Sequence, residues 1–238
     1  MKTLVLIISS FLLFSLDSLA FEINRKNHSF DISLDIYTKH LWRGFSNGTS
    51  PSLQPSLGYS KGNFSVGVWA AMNLNRSYHE LDLFASYTFG SFTATVYDYY
   101  CPVLPLKNNE FFEITQGKTR HTLDVNIEYA QPDKHPFSLL LATMVYGDDL
   151  NPDTGKNYYS TYIEPSINFT VLKKYKLLLF TGLTPFKSYY ADKTAIVNTG
   201  ISVNRVFLIK EKFELGSSFK VSYNPAKNQG WLSIGISI

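Results

Sequence analysis

From Ser29 onward, apolar and polar residues alternate with a period of two in segment after segment. That beat constrains the fold more than any other feature of this 238-residue chain. Successive side chains of a strand point to opposite faces, so alternation marks strands with one apolar and one polar face. In the first segment Phe30, Ile32, Leu34 and Ile36 alternate with Asp31, Ser33, Asp35 and Tyr37. A second sets Leu53, Leu57 and Tyr59 against Gln54, Ser56 and Gly58. A third sets Phe64, Val66, Val68, Ala70 and Met72 against Ser65, Gly67, Trp69 and Ala71. The same reading predicts strands over Glu80–Thr88, Phe92–Tyr100, Thr122–Ala130, Phe137–Tyr146, Tyr159–Phe169, Tyr175–Thr184, Thr194–Phe207, Phe213–Tyr223 and Trp231–Ile238, or twelve in all. An even count returns both ends of an up-and-down barrel to one side, and about 9 to 11 residues suffice for a tilted strand to cross a bilayer.

The connections alternate in character. Those over residues 60–63, 89–91, 131–136, 170–174 and 208–212 are short, while 42–51, 101–121, 147–158 and 185–193 are longer. The connections at 74–79 and 224–230 fit this alternation less well. Short turns at one rim and long loops at the other are the asymmetry of periplasmic and extracellular edges. On the apolar face each short turn is flanked by two aromatics: Tyr59 and Phe64, Tyr87 and Phe92, Tyr129 and Phe137, Phe169 and Tyr175, Phe207 and Phe213. A soluble sandwich has no reason to ring one edge with outward aromatics, whereas a membrane interface favours such rings at headgroup depth. The expected fold is all-β, a transmembrane up-and-down antiparallel barrel of about 12 strands.

The N-terminus supplies the address. Lys2 precedes an apolar run from Leu4 to Leu16, and Ser18 and Ala20 form a small-residue cleavage site. Residues 1–20 read as a secretory signal peptide, because the run is too short for a spanning helix. That leaves residues 21–238 as one barrel domain, placed in a bacterial outer membrane with outer-membrane lipid and the barrel-assembly machinery as partners. Cleavage removes one lysine and one aspartate, so the formal net charge of +3 is unchanged, too small a bias for a nucleic-acid partner. With Cys101 as the only cysteine, an intrachain disulfide or a multi-cysteine metal site is impossible, and no cofactor is implied. The final strand alternates well but ends in Ile238, where such barrels often end in an aromatic.

Several segments carry a family resemblance. The run Ile36-Tyr37-Thr38-Lys39-His40-Leu41-Trp42-Arg43-Gly44-Phe45-Ser46, then Leu53-Gln54-Pro55-Ser56-Leu57, Gly67-Val68-Trp69 and Glu80-Leu81-Asp82-Leu83, resembles the opening half of the TorF family of porins. The match covers about Asp31 to Tyr99, and the remainder matches by pattern alone. The resemblance implies an outer-membrane barrel with channel activity and names no solute.

Strand parity turns Asp31, Asp35, Glu80, Asp82, Asp124, Glu128, Glu164 and Glu214 inward against Lys39, Arg43, Lys176 and Lys220. An open passage lined this way favours cations among small solutes and ions. The alternative is that these groups pair across the lumen and plug it, leaving a closed structural or adhesion barrel that acts through its loops. Arg43 is expected inward at the mouth, as an anion gate or, more plainly, in an ion pair with Asp82 or Glu80. Trp69 is expected inward too, as a constriction or a packed lumen aromatic, and the long loop after Cys101 as a further constriction. Asp149, Asn151 and Asp153 have the spacing of a calcium loop, but the glycine arrives late at Gly155 and Ser160 stands where a glutamate belongs, so a solvated turn is the default. A lipid-modifying enzyme would need Ser and His together on the outer face. His40 and Ser217 are the candidate pair, with no nucleophile motif around them, so no enzyme is expected.

Overall fold

The computed structural model describes residues 28–103, 110–209 and 213–238. The expected signal peptide and cleavage site lie outside the described residues. Among the described residues fourteen strands follow one another: β1 (His28–Tyr37), β2 (His40–Trp42), β3 (Phe45–Asn47), β4 (Ser52–Lys61), β5 (Phe64–Asn73), β6 (His79–Phe89), β7 (Phe92–Tyr100), β8 (His121–Ala130), β9 (Phe137–Gly147), β10 (Thr161–Val171), β11 (Tyr175–Thr184), β12 (Ala195–Ile209), β13 (Phe213–Asn224) and β14 (Gln229–Ser237). Among the described residues no helix is long and apolar enough to cross a membrane.

Twelve of these strands close on themselves in sequence order, with β1 paired to β4 on one side and to β14 on the other. Every pairing is antiparallel. Closure satisfies the edge groups that lipid could not, and for that reason only helices and closed barrels span membranes. The strands β2 and β3 stand apart as a two-stranded hairpin, where sequence reasoning expects only a loop between residues 42 and 51.

The two faces of the wall differ as the alternation predicts. Phe30, Ile32, Leu57, Leu83, Ile127, Leu141, Leu179, Phe219 and Ile234 lie outward and exposed, while Ser33, Gln54, Asp82, Thr95, Asn126, Ser202 and Ser233 on the opposite face are buried. Aromatics flank the short turns on the outer face, with Phe30 against Tyr59 at 4.9 Å and Phe92 against Tyr129 at 5.2 Å. In an aqueous protein so broad an exposed apolar band would drive association. In a bilayer it is the solvated surface.

The interior is not uniform. Toward the short turns it is lined by small hydroxyl residues bonded in cross-strand pairs, such as Ser60 with Ser65 at 2.8 Å and Ser138 with Ser166 at 2.7 Å. Further along, inward glycines lie beneath aromatic rings of the next strand. An added Cβ would reach the Phe84 ring from Gly67 at 2.4 Å, Tyr162 from Gly182 at 2.0 Å, Phe180 from Gly200 at 2.7 Å and Tyr37 from Gly235 at 2.2 Å. A missing side chain on one strand thus makes room for a large one on its neighbour, and rings tile the wall.

Candidate functional site

At the long-loop end the chain leaving β1 turns into the barrel rather than away from it. The β2–β3 hairpin enters the lumen and reverses at Arg43 and Gly44, whose φ values are 42° and 84°. A left-handed conformation suits glycine but costs an arginine on the order of 1 kcal/mol, so surrounding contacts must hold it. The wall receives the tip closely. Gly44 lies so near β12 that a Cβ would stand 1.8 Å from the Val197 carbonyl oxygen, and β12 bulges there, with its register to β11 shifting at Gly182 and Leu183. Asn224 donates to the Gly44 carbonyl at 3.0 Å, and Ser233 donates to the Lys39 carbonyl at 2.8 Å.

Arg43 is the centre of the site. Its guanidinium lies 2.7 Å from Asp124, donates to Tyr190 at 2.6 Å and to Asn126 at 2.9 Å, and sits over the rings of Trp42 and Tyr162 at 4.8 and 5.3 Å. Asp124, fully buried, also accepts from Tyr99 at 3.2 Å. The expected partners Asp82 and Glu80 are thus corrected to Asp124: the hairpin carries Arg43 across the lumen to β8 instead of leaving it beside β6. A buried guanidinium needs a carboxylate and further acceptors to offset its desolvation, and this geometry supplies them.

His40 is corrected as well. The chain has already turned inward at that point, so its ring is buried. It lies 2.8 Å from Gln54 and 3.4 Å from Glu80, against Trp69 and Tyr78 at 5.5 and 5.7 Å. Ser217 donates to the Arg205 carbonyl at 3.2 Å, far from any dyad with His40. Behind the hairpin, Trp42 and Phe45 pack on Leu140, Ala142, Met144, Tyr162, Tyr190, Ala191 and Val197. Tyr190 and its neighbour Tyr189 come from the loop over 185–194, which sequence reasoning did not single out, because two tyrosines in a polar connection carry no period.

The remaining candidates line the lumen at different depths. Asp35, Glu80, Asp82, Glu128 and Trp69 are buried on the inner face, and Asp31 faces inward beside Gly58. Glu164 accepts from Tyr162 and from Asn198 at 3.1 Å, and Lys220 lies over the Phe180 ring at 5.1 Å. Glu214 and Lys176 are exposed near the short turns. A cavity of about 70 Å³ remains beside the hairpin, bordered by Lys39, Arg43, Tyr97, Glu164 and Lys220.

Two expectations about the loops change. The described part of the segment after Cys101 lies on the outer wall, with Phe111 against Tyr100 at 5.0 Å, so the constricting segment is the hairpin; residues 104–109 lie outside the described residues. Cys101 turns toward Tyr78, 3.5 Å away, and burial pushes its thiol up. In the calcium-like loop, Asp149 accepts from the Ser160 amide and hydroxyl at 2.8 and 2.5 Å, and the Ser160 hydroxyl oxygen accepts from the Tyr189 amide at 2.8 Å. Burial pushes the Asp149 carboxyl up, and the bonds from Ser160 pull it back. Asp153 pairs with Lys187 at 3.2 Å. These side chains tie two loops together.

A closed antiparallel ladder with an apolar outer band and a polar lumen defines the class, a transmembrane β-barrel. Within that class no family model matches the chain and no curated protein matches it, so the TorF resemblance of residues 31–99 has no family match behind it. Among solved structures the barrel is similar to the KdgM porin, at 11% identity and a TM-score of 0.47 over 87% of this chain and 96% of that one. It is also similar to a chain from a structure titled "Unveiling the Mechanism Behind the in-meso Crystallization of Membrane Proteins", at 11% identity and a TM-score of 0.44 over 87% of this chain and 82% of that one. At such values the likeness carries nothing about solute or activity. The class rests on the ladder itself.

Proposed function

We propose that this chain is a narrow bacterial outer-membrane channel for small ions or solutes, with its lumen constricted at the extracellular half by the β2–β3 hairpin. The observation that carries this reading is the seat of Arg43: a cation on an inserted hairpin, paired with a wall carboxylate inside the lumen. A barrel that needed only a wall could fill its centre with apolar side chains. Here the centre holds ionisable and hydrogen-bonding groups beside a cavity, and the half below is lined by hydroxyls that water can wet. Inward carboxylates outnumber inward cations, with Asp35, Glu80, Asp82, Glu128 and Glu164 on the inner face beside the Arg43–Asp124 pair, and that excess supports cation preference.

The second reading is a closed barrel acting through its loops, and the hairpin that fills the mouth favours it. One experiment separates the two. Single-channel conductance of the refolded protein in a planar bilayer, with reversal potential under a salt gradient, is expected to show small cation-selective steps. Arg43→Ala, which removes the pin and leaves Asp124 in the passage, is expected to enlarge the steps several-fold and deepen the cation preference. Folded wild type and Arg43→Ala proteins that both stay silent would sink the channel and leave the closed barrel.

A further inference from the structure

The outer wall carries a feature that passage through the lumen does not use. At the long-loop end a groove of about 590 Å³ lies between the wall and the short 3-10 turn at Glu110–Phe112. Its floor is Leu34, Leu53, Ala70 and Leu81, all on the lipid-facing side of β1, β4, β5 and β6, and its roof is Phe111 and Phe112. The volume falls within the roughly 300 to 1,000 Å³ of ordinary ligand sites, and the lining is almost wholly apolar. Its polar and charged lining residues are His79, Glu80, Tyr100 and Glu110, of which Glu80 belongs to the inner face of β6.

The roof is fastened with charge. His121, the first residue of β8, faces outward. Its Nδ1 lies 2.8 and 3.0 Å from the two carboxylate oxygens of Asp98, and its Nε2 lies 2.7 Å from the Phe111 carbonyl oxygen. Both ring nitrogens thus have a partner, one on the wall and one on the roof, and the ring clamps the two together. Arg120 adds contacts to Glu110 at 3.7 Å and Asp148 at 3.4 Å, and Tyr146 donates to the Ile114 carbonyl at 2.8 Å. Beyond the clamp, Phe112 is 77% exposed and Ile114 69% exposed. Such side chains are costly in water and at ease among lipid tails. This exposed roof adjoins the outer apolar band, and its groove is continuous with that band.

We propose that this groove binds one acyl chain of a membrane lipid from the leaflet at the long-loop end, with the headgroup at the polar rim beside His79 and Glu110. Water would find few partners in such a lining, whereas a lipid tail meets no desolvation penalty on entering it. The proposal requires that the barrel span a membrane and does not require that it conduct.

The test uses the full chain folded into phosphatidylethanolamine vesicles that contain a trace of the same lipid with a diazirine on one acyl chain. After photolysis, labelling of the segments holding Phe111 and Phe112 and holding Ala70 to Leu81 is expected to exceed that of the outward faces of β10 and β11 several-fold. Ala70→Phe, which fills the floor, should bring it down to that background, and His121→Ala should reduce it in part. Even labelling around the wild-type barrel would overturn the proposal, as would undiminished labelling in a folded Ala70→Phe protein. If Ala70→Phe fails to fold, the wild-type pattern decides.

Discussion

Two long connections leave the same rim of the barrel and settle on opposite sides of its wall. The segment after β1 turns inward, presenting His40 and Arg43 to Gln54, Glu80, Asp124, Asn126 and Tyr190. The segment after β7 lies outward, with Phe111 against Tyr100 of the lipid-facing wall and Phe112 and Ile114 exposed beyond it. Each goes where its side chains are solvated: charged groups to the lumen, where carboxylates and phenols wait, and apolar groups to the surface that lipid covers. The difference teaches that in a membrane barrel a loop's side chains choose between two solvents separated by one layer of backbone. The energies are unequal as well. The inward loop holds a buried ion pair, the outward loop a clamp at an accessible edge.

The sharpest way to break this contrast is to orphan the inward charge. Asp124→Ala leaves Arg43 buried without its carboxylate and is expected to cost about 3–5 kcal/mol in urea unfolding from vesicles. Arg43→Ala combined with Asp124→Ala should recover most of that loss, and a double variant as unstable as Asp124→Ala would show that the pair is not coupled. A smaller effect is expected from Gly44→Ala, where the left-handed backbone and the Val197 carbonyl both oppose a methyl group. The cost is on the order of 1–3 kcal/mol, and conductance should rise toward that of Arg43→Ala, since both unseat the same hairpin. Unchanged stability and conductance would mean that the tip can shift without leaving its seat. The smallest effect on the barrel is expected from His121→Ala. Unfolding of the wall should barely move, while cleavage after Lys118 by trypsin should quicken several-fold, because the hydrogen bond between His121 and the Phe111 carbonyl, worth about 0.5–1.5 kcal/mol, is lost from the loop. A global loss of stability instead would show that the outward loop is part of the wall's support.

Legibility in the sequence follows the range of the interactions. The wall was readable because its rule is local: a residue's parity along one strand decides its solvent, so Phe64, Val66 and Val68 identify a lipid face without knowledge of β4 or β6. The aromatic edge at the short turns was readable for the same reason. The hairpin was not. Residues 38–51 carry no sustained alternation and end in Ser46, Asn47, Gly48, Thr49, Ser50 and Pro51, so they read as a connection, and what draws them inward is Asp124, Tyr190 and Asn224, far along the chain. Parity also fails once the backbone turns off the wall, and this is why His40 reads as outward and lies inward. Arg43 could be recognised as inward, yet its partner could not, because several carboxylates share the required face and only the hairpin's reach selects Asp124. The clamp at His121 was equally hidden, since Asp98 looks like a stray charge on an apolar strand until the roof is in place.

The seat of the hairpin also has a meaning in time. Arg43 and Tyr190 are 147 positions apart, Gly44 and Asn224 are 180 apart, and Lys39 and Ser233 are 194 apart. Contacts between such distant parts of a chain wait on the closure of everything between them. The segment made among the first is therefore the last to find its place: it has nowhere to sit until β12, β13 and β14 have joined the ring. Until the hairpin seats, Asp124 lacks the guanidinium that the folded lumen gives it, and the centre of the ring stays unfilled.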